Sequence, residues 1–169
     1  MYAHVENALV LGRHAARWLQ AAMPLVTRLV IGQAFILSGW GKLHNLDGVT
    51  KFFTGLGIPM PGANALFIAN LEFFGGIALV LGLGTRVFGA LLSSTMVVAM
   101  LTADREDFVK AFALWPDKGL VDLTPFAYLL FLLWLVARGP GFLSVDSIIA
   151  WAWRRHCASD GKPAPAPAP

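Results

Sequence analysis

Four long apolar stretches constrain this sequence more than any other feature. They are Met23–Gly41, Ala63–Gly82, Val87–Ala103 and Leu123–Ala137. An α-helix needs about 20 residues to cross the hydrocarbon core of a bilayer. The first three stretches are long enough, and the fourth is if Asp122 and Arg138 extend to the two interfaces. The pattern predicts an all-α membrane protein, an antiparallel four-transmembrane-helix bundle with short interfacial helices.

Composition agrees with a membrane protein and argues against several other classes. Charged residues make up 14% of the 169 residues, against roughly 25% in soluble domains. The net charge of +3 comes from cations spread between the apolar stretches, so no basic face predicts nucleic-acid binding. Arg28 interrupts the first stretch, which argues against a cleaved signal peptide. A single cysteine, Cys157, excludes a disulfide framework and a Cys-rich metal site.

The chain divides into four segments. Residues 1–22 are predicted to form a cytoplasmic amphipathic segment. Residues 23–141 form the four-helix membrane domain, with spans near 23–41, 63–82, 87–103 and 123–138. Ser144 and Asp146 suit the start of a helix, so residues 142–156 are predicted to form an interfacial helix. Residues 157–169 contain the run KPAPAPAP, which predicts a disordered tail rich in Pro and Ala.

The connections between the stretches differ in kind. Residues 82–86 are predicted to form a tight turn that makes the second and third spans an antiparallel hairpin. The two loops on the other side are longer. In the first of them, Val49–Leu56 is predicted to form a short helix at the membrane surface. In the second, Phe108, Phe112 and Trp115 recur at helical spacing, which is an interfacial pattern.

Lysine and arginine near the span ends predict the orientation. Seven fall on one side of a four-span bundle: Arg13, Arg17, Arg86, Arg138, Arg154, Arg155 and Lys162. Five fall on the other side: Lys42, Lys51, Arg105, Lys110 and Lys118. The side with more cations is expected to face the cytoplasm. The prediction is a multi-pass inner-membrane protein with both termini in the cytoplasm.

Arg28 and Glu72 are the two ionisable residues predicted to lie inside the spans, where a charge costs about 2.5–3.5 kcal/mol. Each shares a helical stripe with glycines, which let helix backbones approach closely. The two charges are therefore predicted to pair between the first and second spans, with Gln33 as a bridge. Residues predicted to make helix contacts are Gly32, Gly39, Gly75, Gly76, Gly89 and Ser93.

Three interpretations of these charges are open. They form a structural ion pair that sets the register of the bundle, or they belong to a polar pocket for a ligand head group or to a proton relay. In the third interpretation, Arg28 extends to the cytoplasmic lipid head groups. The candidate pocket residues are Arg28, Gln33, Lys42 and Glu72, and no catalytic residue is identified.

Residues that hold metals are missing from the predicted spans. The four histidines lie outside them, so no pair of spans offers axial ligands to haem. No His or Glu spacing is typical of a zinc or di-iron site. We expect the chain alone to bind no metal or haem. His44, beside Trp40, either contacts a quinone ring or is a solvated loop histidine, and the sequence leaves open whether the protein is an enzyme.

The sequence resembles the DoxX family of small four-helix membrane proteins over about residues 25–151. The residues that carry the resemblance are Arg28, Gly32, Phe35, Gly39, Lys42 and Leu43, then Phe53 with Gly55–Pro59, Glu72 with Gly75 and Gly76, Gly82 with Thr85 and Arg86, and Arg138–Gly141 with Ser144, Val145 and Asp146. The family takes its name from a subunit linked to archaeal quinone-dependent oxidation of sulfur compounds. The resemblance implies an accessory or quinone-proximal subunit of a membrane oxidoreductase system, with quinone as the candidate cofactor.

Two other functions stay open. A related membrane fold occurs in Surf-type cargo receptors, so the alternative is a non-catalytic scaffold or chaperone-like protein that binds other membrane proteins. The third is small-molecule transport, for which four helices would need an oligomer to line a path. Expected partners are the lipid bilayer, membrane or redox proteins and further copies of the chain, and not nucleic acid.

Overall fold

The computed structural model describes residues 2–113, 119–141 and 144–159, and these ranges are helical throughout except for short connections. Seven α-helices lie within them, with no β-strand: α1 Tyr2–His44, α2 Leu46–Gly55, α3 Pro61–Leu81, α4 Thr85–Thr102, α5 Arg105–Phe112, α6 Thr124–Arg138 and α7 Val145–Ser159. A 3-10 turn at Leu120–Asp122 precedes α6. Trp115 and residues 160–169 of the predicted tail lie outside the described residues.

Among the described residues, three helical segments are long and apolar enough to cross a membrane: Ala22–His44, Pro61–Leu81 and Thr85–Thr102. The helix α6 is also apolar but has only 15 residues, about 22 Å at 1.5 Å per residue, against about 30 Å of hydrocarbon. The described residues before Ala22 continue α1 without a break. The first span is therefore the second half of one long helix.

Two glycines with left-handed backbone reverse the chain between α3 and α4. Gly82 has φ +71° and Gly84 has φ +55°, a conformation that side chains with a Cβ disfavour. The Leu83 amide donates to the Ala78 carbonyl at 2.8 Å, closing the end of α3, as in a Schellman motif. The predicted tight turn at residues 82–86 is confirmed. We call the end of the bundle that carries this turn the inner end, and the end that carries α2 and α5 the outer end.

The backbones of α1 and α3 touch at glycines. A Cβ on Gly76 would lie 2.7 Å from the Gly32 carbonyl oxygen, and a Cβ on Gly39 would lie 2.8 Å from the Ala69 carbonyl oxygen. Both distances are shorter than any ordinary carbon–oxygen contact, so only glycine fits at Gly76 and Gly39 without displacing the partner helix. These contacts set α1 and α3 antiparallel in a single register.

A small apolar core joins the four longest apolar segments. Its buried side chains are Ile31, Phe35, Leu79, Leu92, Met96 and Leu132. The ring of Phe35 packs on that of Tyr128 with centroids 5.7 Å apart, which links α1 to α6. Outside this core many large apolar side chains are exposed, among them Leu37 and Val87, as expected for surfaces that face lipid.

The glycine contacts generate a stability prediction. Gly39→Ala should lower the free energy of unfolding in detergent by about 1–3 kcal/mol, because the added methyl has no space beside α3. Gly41→Ala is the matched control, since a Cβ there meets nothing within 4 Å, and helix propensity should make it neutral or stabilising by about 0.5–1 kcal/mol. Thermal unfolding followed by tryptophan fluorescence measures both. Equal midpoints for the two variants would contradict the close approach.

Candidate functional site

Arg28 and Glu72 are both buried, with 1% and 2% of their surfaces exposed, but they lie at different depths in the bundle. Glu72 is near the middle of α3, and Arg28 is at the inner end, beside Gly82. The side chains around each charge are described in turn, because their partners decide what each can do.

Glu72 is held by two residues of α1. The ammonium group of Lys42 bonds to both carboxylate oxygens. The Ser38 hydroxyl donates to Oε2 at 2.8 Å, and Lys42 lies at 3.3 Å from the same hydroxyl. Lys42 is 28% exposed, whereas Glu72 is 2% exposed. The pair therefore joins a buried acid to a cation that reaches the surface.

The register of α1 against α3 explains this pairing. Gly39 faces Ala69 and Phe73, so Ser38 and Lys42, one turn apart, fall opposite Glu72. Both residues are on the same side of α1, and the lysine stem is long enough to reach back along α1 to the carboxylate. The glycine contacts and the ion pair thus specify the same register.

Arg28 has its partners at the inner end. Its guanidinium donates to the Pro140 carbonyl and interacts electrostatically with the carboxylate of Asp146. A Cβ on Gly82 would collide with the same guanidinium, which places the charge against the turn between α3 and α4. Arg28 therefore bonds within the protein and does not extend to lipid head groups.

Asp146 connects α7 to this turn. Its carboxylate accepts from the backbone amides of Gly84 at 2.8 Å and Thr85 at 3.1 Å. Its own amide donates to the Gly82 carbonyl at 3.1 Å. An acid is favourable at a helix N-terminus, and here Asp146 from α7 caps α4 in place of a local side chain. The inner end is a structural clamp that joins α1, the α3–α4 turn and the start of α7.

The predicted ion pair between Arg28 and Glu72 is wrong. Gly82, next to the Arg28 guanidinium, lies ten residues along the chain from Glu72, about 15 Å along the axis of α3. The prediction assumed that Lys42 and Asn64 end their helices at the same depth. The real register is shifted by about one turn, and this shift puts Lys42 in the place predicted for Arg28. Gln33 is exposed and bridges neither charge.

A cavity of about 550 Å³ opens beside Glu72 and Lys42. Its walls come from the end of α1 and from α2, α3 and α4. Most of the lining side chains are apolar, including Val49, Phe53 and Ile68. Ligand pockets in proteins are typically about 300–1,000 Å³ in volume, apolar, and supplied with a few polar groups. The cavity has this composition, with the ion pair as its charged part.

The path of α3 and α4 creates the cavity. The two helices touch where a Cβ on Gly75 would lie 3.3 Å from Leu92. Counting outward from this contact, Glu72 faces Thr95, and Ile68 faces Ala99. All four of these residues line the cavity, so α3 and α4 separate outward of Gly75. The helix α2 forms a further wall of the cavity, with Val49, Phe53 and Leu56.

The sequence predicted the ionisable part of this site but missed its other walls. Lys42 and Glu72 were candidates, whereas Ser38 and the whole contribution of α2 and α4 were not. The signal for Ser38 was its place one turn before Lys42 on the glycine-bearing face. His44 does not line the cavity, and its Nδ1 lies 2.9 Å from the Trp40 carbonyl oxygen.

Metal ligands do not cluster in residues 2–113, 119–141 and 144–159. No group of three or more His, Cys, Asp or Glu side chains there is arranged to hold a metal ion. Cys157 is a free thiol. The chemistry that the described site offers is therefore hydrogen bonding and charge at one side of an apolar cavity.

The apolar helices and the buried ion pair between two of them define an integral membrane protein that crosses the bilayer more than once. The DoxX family model matches residues 23–105, and the chain belongs to the DoxX family. The residues that carry the family resemblance include the Lys42–Glu72 pair beside the cavity. They also include Arg28, Gly82 and Asp146 at the inner end.

Three relatives align over most of their length. "Putative oxidoreductase CatD" of Bacillus subtilis is 32% identical over 74% of this chain and 85% of its own. "Inner membrane protein YphA" of Escherichia coli is 33% identical over 72% of this chain and 86% of its own. "Inner membrane protein YqjF" of Escherichia coli is 29% identical over 76% of this chain and 93% of its own. No solved structure is a significant match.

The contacts of Glu72 generate a prediction about coupling. Lys42→Met leaves a buried carboxylate without its cation and should lower stability by about 3–5 kcal/mol. Glu72→Leu leaves a lysine that already reaches the surface, so its cost should be smaller, about 1–2 kcal/mol. The double variant should be more stable than Lys42→Met alone. Denaturation in detergent measures all three.

Arg28→Leu combined with Glu72→Leu is the control cycle. The two residues share no partner, and distant sites add to within about 0.3–0.5 kcal/mol. An interaction energy between Arg28 and Glu72 would contradict the pairing described here. The absence of an interaction energy between Lys42 and Glu72 would contradict it too.

Proposed function

We propose that the protein is an accessory membrane subunit of an oxidoreductase system and that its outer cavity holds the quinone of that system. The observation that carries the proposal is an apolar cavity of about 550 Å³ with an ion pair, Lys42–Glu72, in its wall. The name of the Bacillus subtilis relative supports the oxidoreductase connection. The subunit role follows the family resemblance, in which other members are described with membrane oxidoreductase complexes.

The donors in the wall fit a carbonyl group. An ammonium group has three N–H donors, and Lys42 directs two of them to Glu72. The third points to Ser38 over 3.3 Å, longer than the usual 2.7–3.2 Å. A quinone carbonyl oxygen could replace this weak contact without breaking the ion pair. The quinone would supply the redox chemistry, and the chain would bind and orient its ring.

Quinone content tests the proposal. Solvent extraction and mass spectrometry should find quinone in the protein purified in mild detergent. For a decyl-tailed benzoquinone in lipid nanodiscs, Lys42→Met should weaken binding about tenfold, the effect of losing about 1.4 kcal/mol. Lys51→Met is the matched control, because Lys51 is exposed and does not line the cavity.

The other outcomes have clear meanings. Protein that holds no quinone and does not bind the tailed benzoquinone would refute the proposal. Co-purification of such protein with many unrelated membrane proteins would favour the scaffold or chaperone-like function instead. Equal affinity of Lys42→Met and Lys51→Met for the tailed benzoquinone would show that the ion pair is not part of the binding site.

We also propose that α6 completes an antiparallel bundle of four transmembrane helices. Leu132 and Leu135 are fully buried in the bundle, and Tyr128 packs on α1 through Phe35. Asp122, in the turn just before α6, and Arg138, the last residue of α6, are both exposed, so their charges would reach the interfaces. Two relatives are named inner membrane proteins, and we assign this chain to the same membrane with both termini in the cytoplasm.

Reporter fusions test this topology. Fusions after residues 60, 85, 115 and 160 should report outside, inside, outside and inside, because each successive helix reverses the side of the membrane. An outside signal at residue 160 would mean that α6 does not cross the bilayer. An inside signal at residue 60 would reverse the assigned orientation.

A further inference from the structure

The outer cavity is lined by exposed side chains that lie within the two apolar segments Pro61–Leu81 and Thr85–Thr102, which are long enough to cross a membrane. Two of its lining residues, Phe67 on α3 and Val98 on α4, are 59% and 50% exposed. Phe67 lies six residues into α3 and Val98 lies four residues before the end of α4. These offsets correspond to about 9 Å and 6 Å along the helix axes. The part of the cavity wall that these two exposed side chains form therefore lies below the ends of both helices.

The charged part of the cavity lies at a different place in its wall, and the hydroxyls of Ser94 and Thr102 on either side of Val98 are bonded to carbonyls of α4 itself. Lys42 and Glu72 come from the α1–α3 side, whereas Phe67 and Val98 border the gap between α3 and α4. A molecule that contacts both must carry a polar head at one end and an apolar part at the other. The apolar part would lie among lipid chains, where apolar surface outside the protein is not exposed to water and carries no hydrophobic free-energy cost.

The charge of the wall selects the head group. Lys42 and Glu72 neutralise each other, so the wall offers no net positive charge to a phosphate or a carboxylate. An anion placed there would face the buried Glu72 carboxylate in a low-dielectric site, which is unfavourable. A neutral acceptor, a carbonyl or a hydroxyl oxygen, meets no such penalty and accepts from the third N–H of Lys42.

We propose that the cavity is filled from the bilayer, through the gap between Phe67 and Val98, by a neutral amphiphile with one apolar chain. This inference rests on the proposed function for the location of the ligand site. It adds the route of entry and the class of ligand, which is membrane-dissolved and uncharged. The aqueous loops then need not open for the ligand to exchange.

Exchange of a tailed ligand in nanodiscs tests the route. Val98→Trp should slow the exchange of decyl-tailed benzoquinone at least about fivefold, and Val98→Ala should accelerate it, because the first narrows the gap and the second widens it. Val97→Trp and Val97→Ala are the matched controls, since Val97 is exposed on the same helix and does not line the cavity. If Val98→Trp fails to fold, the exchange rates of Val98→Ala and Val97→Ala are compared instead, and the proposal requires faster exchange in Val98→Ala.

A second probe separates this inference from the proposed function. A long-chain alcohol with a diazirine group has the same neutral, tailed character but no redox chemistry. Labelling of cavity residues that Val98→Trp blocks and Val97→Trp allows, without any quinone binding, would support the entry route and refute the quinone function. Quinone exchange at equal rates in the Val98 and Val97 variants would refute the route alone. Failure of both probes to enter would refute both.

Discussion

The close approach of α1 and α3 is the constraint on which the rest of the structure depends. Without side chains at Gly39 and Gly76 the two backbones come together in one register. That register decides the depth at which every polar group on α1 meets α3. A slip of one turn would move Lys42 away from Glu72 and leave a carboxylate buried without a cation, which is costly in a low-dielectric interior. The glycines and the ion pair therefore reinforce each other.

The same register separates the bundle into two ends with different tasks. At the inner end it brings Arg28 to Gly82, where Asp146 and Pro140 complete a clamp around the α3–α4 turn. The hairpin is held closed there and up to the contact of Gly75 with Leu92. Beyond that contact, residues of α3 and α4 such as Glu72 and Thr95 line the cavity. Tight polar packing at the inner end thus contrasts with the cavity on the outer side of the bundle.

Local patterns in the sequence predicted the apolar helices, the tight turn and the residues of close approach. They failed for the partners of the buried charges. The depths of Arg28 and Glu72 were counted from helix ends that were assumed to lie at the same level. The real register of α1 against α3 differs by about one turn, and both Arg28 and Lys42 have side chains long enough to make either pairing with Glu72 plausible. Asp146 could not be recognised as a partner of Arg28, because its role as a cap depends on where α7 begins in space. The walls from α2 were missed for the same reason.

A structural role for the Lys42–Glu72 ion pair does not exclude a functional one, because the same two residues can serve both. Glu72 is held by Ser38 as well as by Lys42, and Lys42 is the partly exposed member of the pair. A cation with a flexible stem and a surface position can turn one N–H toward a ligand while the carboxylate keeps its hydroxyl partner. The buried acid then acts as the fixed point that holds Lys42 at the cavity wall. In the proposed function, stability and ligand binding depend on the same two residues, and a substitution that keeps the bundle intact but moves the cation separates the two effects.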